Sequence, residues 1–400
     1  MKKNYSILVV FIGLMTWFCT SSCSSGTSSH CFVTGVINLE EGLDHIEALP
    51  LSKVAASIEY IPLEDTDESL VGNILNVFYD NGHIYIKDNT GLIKIFDRKG
   101  HFVRKINRLG RGPQEYSQWS TMSLAPNGNL LLADYPELKE YSVEGNLIRR
   151  TEYPNGFRIS TAMMIDENRY IAPLGSPDYY REYCAVIYDS LANVLQMIPT
   201  PDLYGSENNQ PINQGSGEVL QFVIIIQPEI FRHGDQIRIF YPETAEIFTT
   251  DGYGTLDTAF VINYGKYRPL RGVVNNNNKY INPSRFLESE NYLFMEVAVR
   301  NILANQAHLR GNYIFDKRTM NTYFLHDFEK KINGFRDDLQ GGPPFWPKGI
   351  GGKELLFSYA YPSDLIKYSQ QNKVSDELKH IISNLTEDSN PVVILANLKK

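Results

Sequence analysis

Cysteine is scarce: the 400 residues contain four, and only Cys31 and Cys184 lie outside the extreme N-terminus. Two cysteines either form one pair in an oxidising compartment or stay free; they cannot staple a small disulfide scaffold. Basic charge is also short. Against 46 aspartates and glutamates stand 38 lysines and arginines, a formal net charge of −8, which excludes the electrostatic footprint of a nucleic-acid binder. The eight histidines are scattered; none forms HExxH or a zinc-like pair, and there is no GxSxG elbow and no P-loop. Gly110-x-Gly112 lacks the third glycine and the following helix of a dinucleotide fingerprint. Asp337 and Asp338 are adjacent, so they point apart, unlike the paired carboxylates of a glycosidase. Glu64, Asp65, Asp67 and Glu68 are oxygen ligands of the kind calcium prefers, but their spacing is not that of an EF-hand loop. No catalytic residue, metal site or cofactor is assigned from these patterns.

Aromatics are plentiful at 12% of residues, almost all tyrosine and phenylalanine, and 42% of the chain is hydrophobic. That composition supports a packed core and suits pleated sheets. The stretch from Asn81 to Tyr116 shows how the chain is built. Asn81-Gly82 signals a tight type I′ turn, and His83 to Lys87 alternates with the period of a strand. Leu92 to Phe96, the Lys99-Gly100 turn and Phe102 to Ile106 follow, with Ile74 to Tyr79 in front. These four short antiparallel strands form one propeller blade. The pattern recurs: Asn127-Gly128 follows Asn81-Gly82 by 46 residues, Asp134 follows Asp88 by 46, and Gly145 follows Gly100 by 45. A period near 45 with four strands per unit is that of a β-propeller. Weaker copies run through Arg169 to Ile198, Phe222 to Asn263 and Tyr292 to Leu325. Pro283 to Asn291 reads as helical, Gly341 to Gly352 as a Gly/Pro loop, and Asp364 to Leu385 as a helix. Ile58 to Leu63 and Val392 to Leu395 have no local partner. Pairing them closes a sixth blade and protects its edge. The expected fold is all-β, a six-bladed propeller of four-stranded antiparallel blades with a short C-terminal helix.

The N-terminus reads as an address. Lys2 and Lys3 precede an apolar run of 12 residues, Ile7 to Phe18, too short for the roughly 20 that span a bilayer. Thr20-Ser21-Ser22-Cys23 resembles a bacterial lipobox, with Thr20 in place of the usual aliphatic residue. That pattern implies cleavage before Cys23 and lipidation of its thiol. The alternative is a plain secretory signal with an incidental cysteine. The expected division is a signal peptide over residues 1–22, a tether and linker over 23–50, and the propeller over 51–400.

Several segments match a family in order. Glu64 to Gly72 (EDTDESLVG), Arg108 to Tyr116 (RLGRGPQEY), Leu339 to Pro347 (LQGGPPFWP) and Ser389 to Val393 (SNPVV) resemble the six-bladed β-propeller lipoproteins of Bacteroidetes, propellers of the NHL/TolB-like kind. Gln114 stands where that family usually has glycine. The resemblance implies fold and an envelope location, anchored in the outer membrane and facing the periplasm, and no particular reaction. Ser24 to Ser29 lacks the acidic run that resembles a surface-export signal. The functional reading is a non-enzymatic binding or scaffold protein for a polypeptide or glycan partner in the envelope. The alternative is a propeller hydrolase or lyase acting on a carbohydrate or lactone. Candidate binding residues are Arg108, Arg111 and Tyr116 in one blade-to-blade link and Phe345 and Trp346 in another. Two guanidiniums suit a carboxylate or phosphate, and an exposed Trp on a rigid loop suits a sugar or peptide. The competing reading makes the first link a structural connector and the second a plug on the adjacent blade.

Overall fold

The turn at Asn81-Gly82 forms with φ of 46° and 76°, the positive pair that a type I′ hairpin demands. The computed structural model describes residues 33–400 except 45, 176–181, 202–227, 243, 269–278, 302–305, 328–331 and 353. Cys23, Cys31, the loops at Tyr204 to Gly217 and Asn275 to Asn278, and the strand expected at Phe222 to Gln227 lie outside the described residues. In chain order, β1 (Gly35–Asn38) and α1 (Leu39–Asp44) precede β2 (Ala55–Pro62). Blade 1 is β3 (Ile74–Asp80), β4 (His83–Asp88), β5 (Ile93–Asp97) and β6 (Phe102–Ile106). Blade 2 is β7 (Thr121–Leu124), β8 (Leu130–Asp134), β9 (Glu137–Tyr141) and β10 (Leu147–Glu152). Blade 3 is β11 (Met163–Asp166), β12 (Arg169–Pro173), β13 (Tyr183–Asp189) and β14 (Val194–Pro199). Blade 4 is β15 (Glu229–His233), β16 (Gln236–Phe240), β17 (Glu246–Thr250) and β18 (Asp257–Asn263). Blade 5 is β19 (Lys279–Glu288), β20 (Tyr292–Asn301), β21 (Gln306–Asp316), β22 (Asn321–Asp327) and the two-residue β23 (Ile332–Asn333). Blade 6 holds β24 (Gly349–Gly351), β25 (Leu355–Ala360) and β26 (Val392–Leu398), with α2 (Pro362–Gln371) and α3 (Asp376–Ser383) between the last two.

The ring closes as the unpartnered strands require. β2 is the outer strand of blade 6 and pairs antiparallel with β26, from Ala55↔Leu398 to Pro62↔Val392. Alternation then does the packing. In β26, Val392, Ile394 and Ala396 face the core shared with blade 5, while Val393 and Leu395 face the core shared with blade 1. A period of two sends successive side chains to opposite faces, and here each face meets a neighbouring blade. Six buried clusters result, one at each blade interface.

The repeated sequence signals have physical causes. Gly100 (φ 87°) and Gly145 (φ 86°) sit in the outer turns of blades 1 and 2. A Cβ on Gly100 would lie 2.2 Å from the Pro62 carbonyl oxygen, and one on Gly145 would lie 3.1 Å from Ile106. Each glycine lets an outer turn press against the end of the preceding blade. Asp88 accepts from Lys94 at 2.5 Å and from the Gly72 amide at 3.0 Å. Its repeat, Asp134, accepts from Lys139 at 2.9 Å and the Ser117 amide at 3.1 Å. Both carboxylates tie two strands to the chain entering the blade.

Several expectations are corrected. The linker assigned to 23–50 ends earlier: β1 adds a fifth, parallel strand to blade 4, Gly35↔Phe260 to Asn38↔Asn263, with Ile37 fully buried. Pro283 to Asn291 is not helical; the part up to Glu288 belongs to β19, the innermost strand of blade 5. Proline is tolerated there because an innermost strand is a sheet edge. The Gly341 to Gly352 loop contains β24, where a Cβ on Gly349 would strike the Phe357 ring at 2.1 Å. The C-terminal helix is two, the second capped by Ser375, whose Oγ accepts from the Leu378 amide at 3.0 Å. Of the two alternatives left open for Cys184, the structure has the free thiol, buried and pushed up to about 12 by that burial.

Candidate functional site

The two links singled out in the sequence each lead into the innermost strand of the next blade, β7 and β24. They differ in what they expose. Arg108 and Arg111 are exposed; Arg108 Nε donates to the Gly145 carbonyl at 3.3 Å, and Arg111 has no partner among the described residues. Tyr116 is fully buried, donating to the Ile106 carbonyl at 3.2 Å, with its ring edge-on to Tyr141 at 5.8 Å. Phe345 and Trp346 are buried too. Trp346 stacks on Phe335 at 6.1 Å and meets Phe294 edge-on at 5.8 Å. The expectation of an exposed aromatic surface on this link is therefore corrected: these rings seal the joint between blades 5 and 6.

Asp337 explains why. Its Oδ1 accepts from the Leu339 and Gln340 amides at 3.0 and 2.9 Å, and its Oδ2 accepts from the Gly342 amide at 2.9 Å and the Tyr60 hydroxyl at 2.8 Å. Asp338 points the other way and accepts from Ser52 Oγ at 2.5 Å. The adjacent pair is thus a two-sided staple. Two further motifs meet each other: Asn390 accepts from the Val71 amide at 2.7 Å and donates to the Glu64 and Ser69 carbonyls at 2.6 and 3.0 Å.

The polar recess lies beside Trp346. In blade 5, Asn282 pairs with Ala298 and Ala298 with Arg310; Ser284 pairs with Glu296 and Glu296 with Asn312. Directly opposed residues share a face. Tyr292 and Phe294 continue that face and pack against blade 6. The face is therefore apolar up to Phe294 and, Ala298 apart, polar from Glu296 onward. Where the apolar packing stops, a cavity of ≈ 460 Å³ opens, closed on the other side by Asn333, Trp346 and Lys348. This volume lies within the ~300–1,000 Å³ of small-molecule sites.

Arg285 enters this cavity from a β-bulge. The register of β19 shifts between Ser284 and Leu287, and Arg285 adopts φ 53°, a left-handed conformation costing a non-glycine residue about 1–2 kcal/mol. Glu229 of blade 4 holds it there. Its carboxylate accepts from the Arg285 and Phe286 amides at 2.9 and 3.4 Å, while burial raises the Glu229 carboxyl above its usual range. Bulges of this kind re-aim side chains beside sites. Glu296 lies 3.5 Å from Arg285 and 3.7 Å from Lys348, longer than good charge-assisted hydrogen bonds. Arg310 is exposed and has no partner among the described residues. Ser284 Oγ donates to the Glu296 carbonyl at 3.5 Å.

Of the residues lining the recess, Trp346 alone stood out in the sequence. The available signal was polar side chains at Arg310 and Asn312, on strand positions whose neighbours on the same face, Ile314 along the strand and Leu325 across it, are core. Other buried charge is structural. Glu288 binds Arg238 at 2.8 Å and Lys317 at 2.7 Å, with His233 at 3.7 Å. Burial alone would raise the Glu288 carboxyl; hydrogen bonding and charge from Arg238 and Lys317 together hold it below the usual range. Among the described residues, no group of three or more His, Cys, Asp or Glu is gathered to hold a metal ion.

No curated protein matches this chain. Among solved structures, a Bacteroides fragilis protein described as exported aligns over 91% of this chain and 99% of its own, with a TM-score of 0.66 and 16% identity. A member of the DUF4221 family from Bacteroides vulgatus aligns over 86% and 97%, with a TM-score of 0.44 and 12% identity. A virginiamycin B lyase from Staphylococcus aureus reaches a TM-score of only 0.37 at 10% identity, over 85% of this chain and 99% of its own, a level that carries nothing about chemistry. The family model described as a domain of unknown function, DUF4934, matches residues 34–397, all six blades from β1 to β26, and this chain belongs to that family.

Proposed function

We propose that this protein is an envelope binding protein, tethered through a lipid on Cys23, that takes a glycan partner in the cleft between blades 5 and 6. One observation carries the reading: the in-register polar face of Asn282, Ser284, Glu296, Arg310 and Asn312 opens into a recess instead of packing. Amide and hydroxyl groups there offer both donors and acceptors, which suits a ligand dense in hydroxyls, and Trp346 supplies one apolar wall. The N-terminal Lys2, Lys3, apolar run and Cys23 support the tether, and the exported Bacteroides fragilis protein fits the same compartment.

The test is a panel of mono- to tetrasaccharides and short peptides read by ligand-induced thermal shift. At least one saccharide is expected to stabilise the wild type, and Asn282→Trp, which fills the cleft, is expected to abolish that shift. Ligands that stabilise Asn282→Trp equally, or a panel in which only peptides act, would overturn the reading.

A further inference from the structure

Resting on that reading, we propose that the cleft selects an anionic sugar, one bearing a carboxylate or phosphate, over its neutral counterpart. Arg285, Arg310 and Lys348 set three cations around the single carboxylate of Glu296, leaving two positive charges in excess. The chain as a whole carries a net charge of −8, so the recess has the opposite sign from the protein around it. Three buried cations elsewhere hold a carboxylate at close range, Lys94 on Asp88 at 2.5 Å, Lys139 on Asp134 at 2.9 Å and Arg238 on Glu288 at 2.8 Å. Those in the cleft do not. Glu296 is shared between Arg285 at 3.5 Å and Lys348 at 3.7 Å, and Arg310 has no partner among the described residues.

An unpaired guanidinium is a ready fork for an oxyanion. The placement also fits a sugar with an acid at one end. Arg310 stands in the row of Asn282 and Ala298, and Glu296 in the next row with Ser284 and Asn312. The rows are about 7 Å apart, two residues along a strand. One row then takes the anion, and the other offers the Glu296 carboxylate and the Asn312 amide to hydroxyls. Arg285 approaches from backbone that Glu229 has already fixed, so only its side chain has to be ordered on binding.

Isothermal titration with galacturonate, galactose 6-phosphate and galactose tests this. The two acids are expected to bind at least about tenfold tighter than galactose, and which acid binds tighter identifies the anion. Arg310→Ala is expected to weaken the acids about ten- to hundredfold, as loss of a hydrogen bond to a charged group does. The same change should weaken galactose far less than the acids and leave the melting temperature unchanged, and Arg310→Lys should restore part of the loss. Higher salt should weaken only the acids. Galactose binding as tightly as both acids, undiminished acid binding by Arg310→Ala, or no acid binding at millimolar concentration would each overturn the proposal. The first outcome, with Asn282→Trp still blocking galactose, leaves the glycan-binding reading standing; binding of no saccharide in the cleft removes both.

Discussion

Shortening the chain to residues 64–400 removes β2 and tests the closure of the ring. The strand and its continuation bury Ile58, Tyr60, Ile61 and Leu63, each at most 7% exposed. At about 1.5–3 kcal/mol for each buried apolar side chain, the four contribute about 6–12 kcal/mol. A whole domain is stable by only about 5–15 kcal/mol, so this one strand is comparable to the total. The loss reaches three joints at once, because Ile58 and Tyr60 face blade 5, Ile61 and Leu63 face blade 1, and β1 and α1, removed with them, bury Ile37 and Leu39 between blades 4 and 5. It also bares the full edge of β26, an invitation to aggregate. Thermal melting followed by circular dichroism, with limited proteolysis beside it, is the assay. The shortened chain should show no cooperative transition and rapid digestion. A gentler change, Ile61→Ala, should cost about 2–5 kcal/mol and keep the fold. If residues 64–400 melt within a few degrees of the full chain and with the same sharpness, the ring is held by other means and the reasoning fails.

Tyr60→Phe should cost about 1 kcal/mol in urea denaturation, since Asp337 keeps three amide partners, whereas Asp337→Ala strands all four donors and should cost at least about 3 kcal/mol; equal effects would mean that Asp337 is not the centre of the staple. Burial lowers the His233 pKa below its ordinary 6.5, so the folded state binds that proton less well than the unfolded chain and stability falls as pH drops from about 6.5. His233→Gln should therefore lose less melting temperature than the wild type between pH 7 and 5, and identical slopes would contradict the sign. Cys23→Ala should move the protein from the membrane to the soluble fraction, and its retention on membranes would rule out the lipid tether.

Blades 1 and 2 were legible because their turns require positive φ and fall at matching offsets along the chain. The limits of the sequence lie where one signal serves two purposes. Gly349 and Gly351 look like loop residues, yet they are small because the Phe357 ring and the Tyr79 carbonyl lie against them. Asn282-Pro283-Ser284 looks like a helix start, yet it runs along an innermost strand whose open edge forgives proline. Glu229 to His233 is half-buried along its whole length, so no alternation marks it. Trp346 sits among Gly and Pro and reads as exposed; its partners Phe294 and Phe335 come from distant chain and only the fold brings them to it. The cleft was hidden for the same reason. Its members span Asn282 to Lys348 and meet through register across β19, β20 and β21, which local pattern does not encode.

The most direct test is a crystal structure of the full ring soaked with galacturonate. The account predicts density between blades 5 and 6, with the carboxylate within hydrogen-bond reach of Arg310 and the hydroxyls toward Glu296 and Asn312. Density seated elsewhere on the ring, or an empty cleft at saturating galacturonate, would contradict it.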